Sequence, residues 1–281
     1  LSLNSSTSVL SQIRSRLERQ SETAALDAQV LLAHILDKPR AWVLAHPEAP
    51  LSPQQAEKLA RALARLENGE PLPYILGHWE FFGLDFLVTP AALIPRPETE
   101  LLVERALEWL RQHPERRLTA DVGAGTGCIA VALAVHIPDL RLLVCDRSLE
   151  ALRVAQENVR RHGVQQRAFC LQADLLPALG RKIDLICANL PYIPSATLRS
   201  LSVARWEPTL ALDGGPHGLS LIGRLLELAP LALAPGGLAL LEIEATQGTA
   251  ALQLARTAFP DAHVELFPDL AGRDRLISIQ T

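Results

Sequence analysis

LTADVGAGTGCIAVALAVH, Leu118 to His136, is the stretch that decides the fold. It opens as a short apolar run, passes through Gly123-Ala124-Gly125-Thr126-Gly127, and continues as an apolar helix-forming segment. Strand, glycine turn and helix in that order begin a βαβ unit. Glycine tolerates positive φ and lets a ligand come close to the backbone. Many βα turns need glycine for chain geometry alone, so the turn by itself leaves function open. The spacing narrows the choice. The dinucleotide fingerprint is G-x-G-x-x-G, with a pyrophosphate on the helix N-terminus. Here the glycines run G-x-G-x-G, and Asp121 stands just before them, where a phosphate would be repelled. An acid in that position suits a ligand that carries an amine.

Outward from this unit the chain keeps alternating. RLLVCD, RAFCLQAD, KIDLICANL and GGLALLEIE read as strands, and SLEALRVAQENVRRHG, LIGRLLELAPLAL and QGTAALQLARTAF read as helices. Two closing strands, AHVELFPDL and RDRLISIQ, flank Ala271-Gly272. The alternation predicts a parallel sheet covered on both faces, an α/β fold in which ligands bind at the carboxyl ends of the strands. The domain runs over residues 98–281 and begins with the amphipathic helix TELLVERALEWLRQH.

Upstream the texture changes. Residues 1–70 show only helical periodicity and predict a small helical bundle. One of its helices has a full start signal: Ser52 as cap, Pro53 in the first turn, Gln55 to complete a capping box. Lys38-Pro39 and Asn68-Gly69 read as stops. Residues 71–97 hold most of the few aromatics among glycines and prolines. HWEFF and DFLVT on either side of Gly83-Leu84 predict a β-hairpin, so this is a structured connector.

Composition sets bounds. The chain has 281 residues, 48% of them hydrophobic, with 27 Lys and Arg against 31 Asp and Glu. A net charge of -4 lacks the basic footprint that broad contact with nucleic acid leaves. No signal peptide and no uninterrupted membrane-length apolar run is visible. Cys128, Cys145, Cys170 and Cys187 form no C-x-x-C pair, and the eight histidines have no metal-ligand spacing. These features predict a cytoplasmic protein with reduced thiols, no metal site and no membrane contact.

Two further acids follow strands. Asp146 ends RLLVCD, where it can accept both hydroxyls of a ribose. Asp174 follows RAFCLQAD, where it can take the exocyclic amine of an adenine, with Leu175 beside the ring. Acids after strands also serve as helix caps. Read with Asp121, they describe an amino-acid end, a ribose and an adenine, which together are S-adenosylmethionine. The predicted cofactor-binding set is Asp121, Gly123, Ala124, Gly125, Thr126, Gly127, Asp146, Asp174, Leu175 and Asn189.

The fourth strand ends in Asn189-Leu190-Pro191-Tyr192, at the same sheet edge. Methylating a planar NH2 calls for acceptors on both N–H bonds. Asn189 Oδ1 and the Leu190 carbonyl can be those acceptors, Pro191 stiffens the turn, and Tyr192 can pack on a flat substrate group. An ordinary Asn-Pro turn is the plainer alternative. Glu98 and Glu100 either favour a helix N-terminus electrostatically or line the cofactor's methionine end.

With these residues placed, the chain resembles a family. PLPYILG, FFGLDFLV, LIPRPETELLVE, DVGAGTGCIA, NLPYIP, EPTLALDGGPHGL, LALLEIEATQ and DLAGRDRLI together look like the protein-glutamine methyltransferases of peptide chain release factors, over nearly the whole chain. The resemblance implies a Rossmann-like seven-stranded methyltransferase sheet preceded by the helical bundle and hairpin, which help to hold the protein substrate. It implies S-adenosyl-L-methionine as methyl donor, S-adenosyl-L-homocysteine as product, and methylation of the glutamine in the Gly-Gly-Gln loop of release factors by a monomer. The family usually has proline at Leu190, aspartate at His217 and glycine at Glu244. Asn-Leu-Pro-Tyr is also seen in ribosomal RNA adenine dimethyltransferases, so an adenine-N6 methyltransferase acting on rRNA or DNA is the alternative.

Overall fold

Seven apolar segments, each too short to bury itself, assemble into one sheet with the spatial order β5-β4-β3-β6-β7-β9-β8. The strands are β3 (Leu118–Val122), β4 (Arg141–Asp146), β5 (Ala168–Gln172), β6 (Ile183–Ala188), β7 (Leu233–Glu242), β8 (His263–Pro268) and β9 (Asp274–Gln280), preceded by a separate hairpin of β1 (His78–Phe81) and β2 (Leu84–Leu87). This computed structural model describes residues 8–18, 21, 23–177 and 182–281. The first seven residues of the expected helical bundle lie outside them. The chain divides into two units, Leu1–Gly77 and His78–Thr281.

The first unit is helical. Ser52 Oγ accepts from the Gln55 amide at 3.2 Å and Gln55 Oε1 accepts from the Ser52 amide at 2.9 Å, so the capping box forms at helix Pro53–Glu67. That helix buries Leu59, Ala62 and Leu63, while helix Ala24–Leu36 buries Ala28, Leu31 and Leu32. PLPYILG, read from sequence as the start of the structured connector over residues 71–97, is helical over Leu72–Leu76. Prolines are tolerated in a first helical turn, and Gly77, at φ 76°, ends it.

The second unit starts with the β1–β2 hairpin. Its turn is Phe82-Gly83, one residue earlier than expected, and both residues have positive φ, at 52° and 72°. That geometry matches the twist of the strands. Phe82 is held there because its amide donates to Glu100 Oε1 at 2.8 Å. Glu100 therefore braces the hairpin. Asn158, wholly buried, ties the hairpin to the glycine turn: its Oδ1 accepts from the Leu87 amide (2.8 Å) and its Nδ2 donates to the Leu87 (3.0 Å) and Thr126 (2.9 Å) carbonyls.

The sheet is mixed. β3 pairs in parallel with β4 on one side and β6 on the other, while β9 runs antiparallel between β7 and β8. A tight turn at Asp269–Arg273 can join only antiparallel neighbours, which accounts for this departure from an all-parallel sheet. One apolar layer packs around helices Glu100–Gln112 and Cys128–His136, the other around Ser220–Ala232 and Gly248–Ala258. Helix Cys128–His136 is apolar on every side, as a covered helix must be.

Asp121 sits inside this core with no exposed surface, and its Oδ2 accepts from the Ala130 amide at 3.1 Å. Burial pushes its carboxyl up to about 7. In the unfolded chain it ionises near 3.8. The native state thus holds a proton that the unfolded state sheds, and stability falls as pH rises from about 4 through about 7. Asp121→Asn should raise the melting temperature of the ligand-free protein more at pH 8 than at pH 5. An equal change at both pH values would mean that the carboxyl does not titrate in this range. Asn158→Ala strands several buried backbone groups and should lower unfolding free energy by about 3 kcal/mol, read by chemical denaturation.

Candidate functional site

β3 runs first to β4 and β5 on one side, and the chain then returns to β6 on the other, so strand order reverses between β3 and β6. Loops leaving the carboxyl ends of β3 and β6 diverge there and leave a crevice. Its floor is Gly123–Thr126 from the β3 loop and Asn189–Pro191 from the β6 loop. One wall carries Asp146–Ser148 and Ala173–Leu175, and the other carries Ala91–Arg96 with Thr99. Pro208, Leu210 and Ala211 close it from a third loop.

The glycine turn is built for close approach. Gly125, at φ 56°, has open space where a side chain would stand. Gly123, at φ 73°, lies under Leu190, whose Cδ2 would be 2.8 Å from an added Cβ. The two loops therefore touch, and the positive φ of Gly123 makes a side chain there strained. Asp146 is held from both oxygens: Oδ2 accepts from the Gly125 amide and Oδ1 from the Ser148 amide, each at 2.8 Å. Each oxygen keeps a lone pair for a ligand hydroxyl. Burial raises its pKa, against the lowering by these amides. Asp174, half exposed, accepts from Arg224 Nη2 at 2.8 Å, which holds its carboxyl below the usual range. Leu175 is buried beside it in the left-handed region, at φ 67°.

Asn189 stands at the crevice with its side chain oriented. Its Nδ2 donates to Thr99 Oγ1 at 2.9 Å, so Oδ1 is the atom left to accept from a ligand. Gln247 Nε2 donates to the Tyr192 carbonyl at 2.9 Å and steadies the far end of the tetrapeptide.

Gly123, Ala124, Gly125, Thr126, Asp146, Asp174, Leu175, Asn189, Leu190 and Pro191 thus share one crevice. Three of the expected residues do not line it. Gly127 faces Ala155, whose Cβ would lie 3.1 Å from a side chain there, so this glycine serves helix packing. Asp121 is buried beneath the turn, with Oδ1 lacking a hydrogen bond. Tyr192 turns its hydroxyl to Glu242 Oε1, at 3.5 Å, rather than into the crevice. Burial raises the Tyr192 pKa. Of the PRPETE segment, Pro95, Arg96 and Thr99 line the crevice, and Thr99 is the one bonded to Asn189. Glu98 is exposed and Glu100 holds the hairpin.

Sequence reading passed over Thr99, Glu207 and Glu242. Glu207, almost fully buried, accepts from the Ile94 amide at 3.1 Å and from Arg96 Nη2, clamping the loop that closes the crevice onto the 91–96 wall. Glu242 is 1% exposed, with its carboxyl pushed by burial up to about 7. A lone acid within the apolar run LALLEI was the one signal for it.

An open glycine turn, a carboxylate preset for a diol and an amide with a free oxygen fit an adenosyl ligand with a methyl acceptor beside it. Among the described residues no cluster of His, Cys, Asp or Glu could hold a metal, and no helix is long and apolar enough to cross a membrane.

Residues 8–77 match the PrmC N-terminal domain and residues 98–204 match the methyltransferase small domain. The release factor glutamine methyltransferase of Moorella thermoacetica is 46% identical over 257 residues, covering 90% of both chains. That of Geobacter sulfurreducens is 39% identical, covering 92% of this chain and 90% of its own. Among solved structures, the T. thermophilus 16S rRNA N2 G1207 methyltransferase in complex with AdoMet and guanosine aligns at a TM-score of 0.51, with 18% identity, over 73% of this chain and 49% of its own. That likeness shows the fold alone. The chain belongs to the release factor glutamine methyltransferase family.

Proposed function

We infer that the protein transfers a methyl group from S-adenosyl-L-methionine to the side-chain amide nitrogen of the glutamine in the Gly-Gly-Gln loop of peptide chain release factors. The observation that carries the reading is the juxtaposition of Asn189, its Nδ2 already committed to Thr99, with the glycine turn of β3.

The cofactor, when bound, supplies an electrophilic methyl on a sulfonium that departs as a neutral thioether. Asp146 takes the ribose hydroxyls, and its two backbone amides keep the carboxylate oriented before the ligand arrives. Asp174 and Leu175 take the adenine edge and face. The buried carboxyl of Asp121, protonated up to about pH 7 in the ligand-free protein, lies under the glycine turn, where the cation of the cofactor's amino-acid end would favour its ionised form.

The substrate nitrogen needs fixing more than activating. An amide lone pair is delocalised into the carbonyl and is a poor nucleophile. Accepting both N–H bonds, at Asn189 Oδ1 and at the Leu190 carbonyl, holds the nitrogen in line and favours the positive charge that grows on it during transfer. Both acceptors are neutral, so neither competes for the methyl group as a carboxylate would. The Leu190 carbonyl is available whatever its side chain. Residues 1–70, 71–97 and 98–281 then divide the work between holding the protein substrate and performing the transfer.

A recombinant release factor incubated with the protein and labelled cofactor should gain one methyl, and a factor with that glutamine replaced should gain none. Label appearing in RNA or DNA, with the factor untouched, would overturn the reading. Asn189→Ala should raise the barrier by about 2.7–4 kcal/mol with little change in cofactor affinity. Asp146→Asn should weaken cofactor binding roughly tenfold or more by calorimetry, with the circular dichroism spectrum retained. Unchanged affinity would remove its ribose role.

A further inference from the structure

Glu207 and Arg96 meet across 111 positions of chain, and each is followed by a proline. A proline pushes the residue before it to extended backbone, and Arg96 sits there at φ -103° and ψ 141°. Both oxygens of the Glu207 carboxyl, whose side chain is 2% exposed, engage one wall of the crevice. Oε2 accepts from the Ile94 amide at 3.1 Å, and Oε1 accepts from Arg96 Nη2. Directly after Glu207 in the chain, Pro208, Leu210 and Ala211 cap the crevice. The far end of that cap is bonded to the chain leaving the Asn189–Tyr192 tetrapeptide. There the Ile193 amide donates to the Leu212 carbonyl at 3.1 Å, and the Gly214 amide donates to the Ile193 carbonyl at 2.8 Å. The wall in turn continues into Thr99, which accepts from Asn189 Nδ2. Cap, wall and tetrapeptide form a ring of contacts that runs past Asn189, and the Glu207 carboxyl is the joint between the first two.

We propose that Glu207 is a positioning residue for the methyl acceptor: it holds the Ile94–Arg96 wall to the Pro208–Ala211 cap, so that the slot in front of Asn189 exists before the release factor arrives. The proposal rests on the methyl-transfer reading above and adds to it a residue that stands behind the crevice lining. A slot that had to assemble around a mobile glutamine side chain would add its own ordering cost to binding and to alignment. A slot already closed by an ion pair does not. The pair has a second effect. Arg96 lines the same crevice as Asn189. An unpaired guanidinium there would oppose the positive charge that grows on the substrate nitrogen, and the Glu207 carboxylate in contact with it cancels that field. A buried ion pair is a weak source of stability, because desolvation offsets the attraction. Its place in the wall of the acceptor slot fits a role in geometry and charge balance.

The test compares variants of the full chain with the parent on a release factor, reading KM for the factor, kcat and cofactor affinity separately. Glu207→Gln keeps the shape and an oxygen for the Ile94 amide, and removes the charge opposite Arg96. Its kcat/KM should fall roughly tenfold or more, the weight of one charge-assisted hydrogen bond, with cofactor affinity within about threefold of the parent. KM for the factor should carry at least about threefold of that loss, because a poorly formed slot weakens acceptor binding as well as turnover. Simple destabilisation would lower kcat through the fraction folded and leave KM at the parental value. Arg96→Met removes the other partner. The double variant, with neither charge, should be no worse than the poorer single variant, because the two side chains act as one joint. It also leaves no buried charge unpaired, so it carries the test if Glu207→Gln alone fails to fold. Parental KM in the folded Glu207→Gln protein, or parental kcat/KM in the double variant, overturns the proposal. So do losses that multiply in the double variant, and a fall in cofactor affinity as large as the fall in kcat/KM. The parent's own turnover on the glutamine loop reports on the reaction assignment, and the ratio of variant to parent reports on Glu207.

Discussion

The site depends on the parallel placement of β3 between β4 and β6. In that register Asp121 lies beside Val144 on one side and Cys187 on the other, and Val122 lies beside Cys145 and Ala188. Strands that end level, with loops departing in opposite directions, leave a crevice that no side chain has to carve. What remains is to let the two loops approach. Gly123 does so at positive φ, where Leu190 covers the space that a Cβ would take. A residue with a side chain there would separate the turn from the tetrapeptide. The spacing between the glycine turn and Asn189 thus rests on the Leu190 side chain packed into the space that Gly123 leaves free, with the Asn189 carbonyl just behind it.

Around this fixed floor, buried polar side chains anchor the walls. Asn158 pairs with the Leu87 backbone as a neighbouring strand would and bonds the Thr126 carbonyl as well, so the hairpin and the glycine turn share one anchor. Glu207 joins the 91–96 segment to the 207–211 loop. Ser195 Oγ donates to Asp213 at 2.6 Å, which also accepts from the Gly215 amide at 2.9 Å. Each of these partners is distant in sequence or lies in irregular chain, where no ladder supplies hydrogen bonds. Loops that carry a site need such anchors because their backbone groups have no partners by default.

The local parts of this arrangement were legible in the sequence and the distant parts were not. The Ser52-Pro53-Gln55 cap, the strand-turn-helix at Leu118–His136 and the acids after β4 and β5 are signals that lie within a few residues of their effect. Thr99 is different. Its neighbours Glu98 and Glu100 carry charge and drew attention, yet the residue that reaches Asn189 is the neutral one, 90 positions away. Gly127 looked equivalent to Gly123 and Gly125, but helix phase turns it toward Ala155. Tyr192 offered a flat ring for a substrate, and its hydroxyl found Glu242 across 50 positions instead. Periodicity predicts which face of an element is buried. It does not predict which polar atoms on two buried faces will meet.

The family departures show which positions the chemistry constrains. Glu244 stands where glycine is usual, yet it caps the short turn that follows: its Oε2 accepts from the Thr246 amide at 2.8 Å, and Gln247 Oε1 accepts from its own amide at 3.2 Å. The same Gln247 holds the Tyr192 carbonyl, so this substitution adds order next to the loop at residues 189–192. His217 is exposed in its turn, where charge and shape are least restricted. Leu190 is the demanding case. Proline there would fix φ and remove an N–H, and leucine does neither. In exchange its side chain is buried against Gly123, and Pro191 stiffens the next position. The function assigned to residue 190 is a backbone carbonyl, which every amino acid carries. What must be conserved is its direction, and here apolar packing on the glycine turn takes the part that ring closure plays in proline.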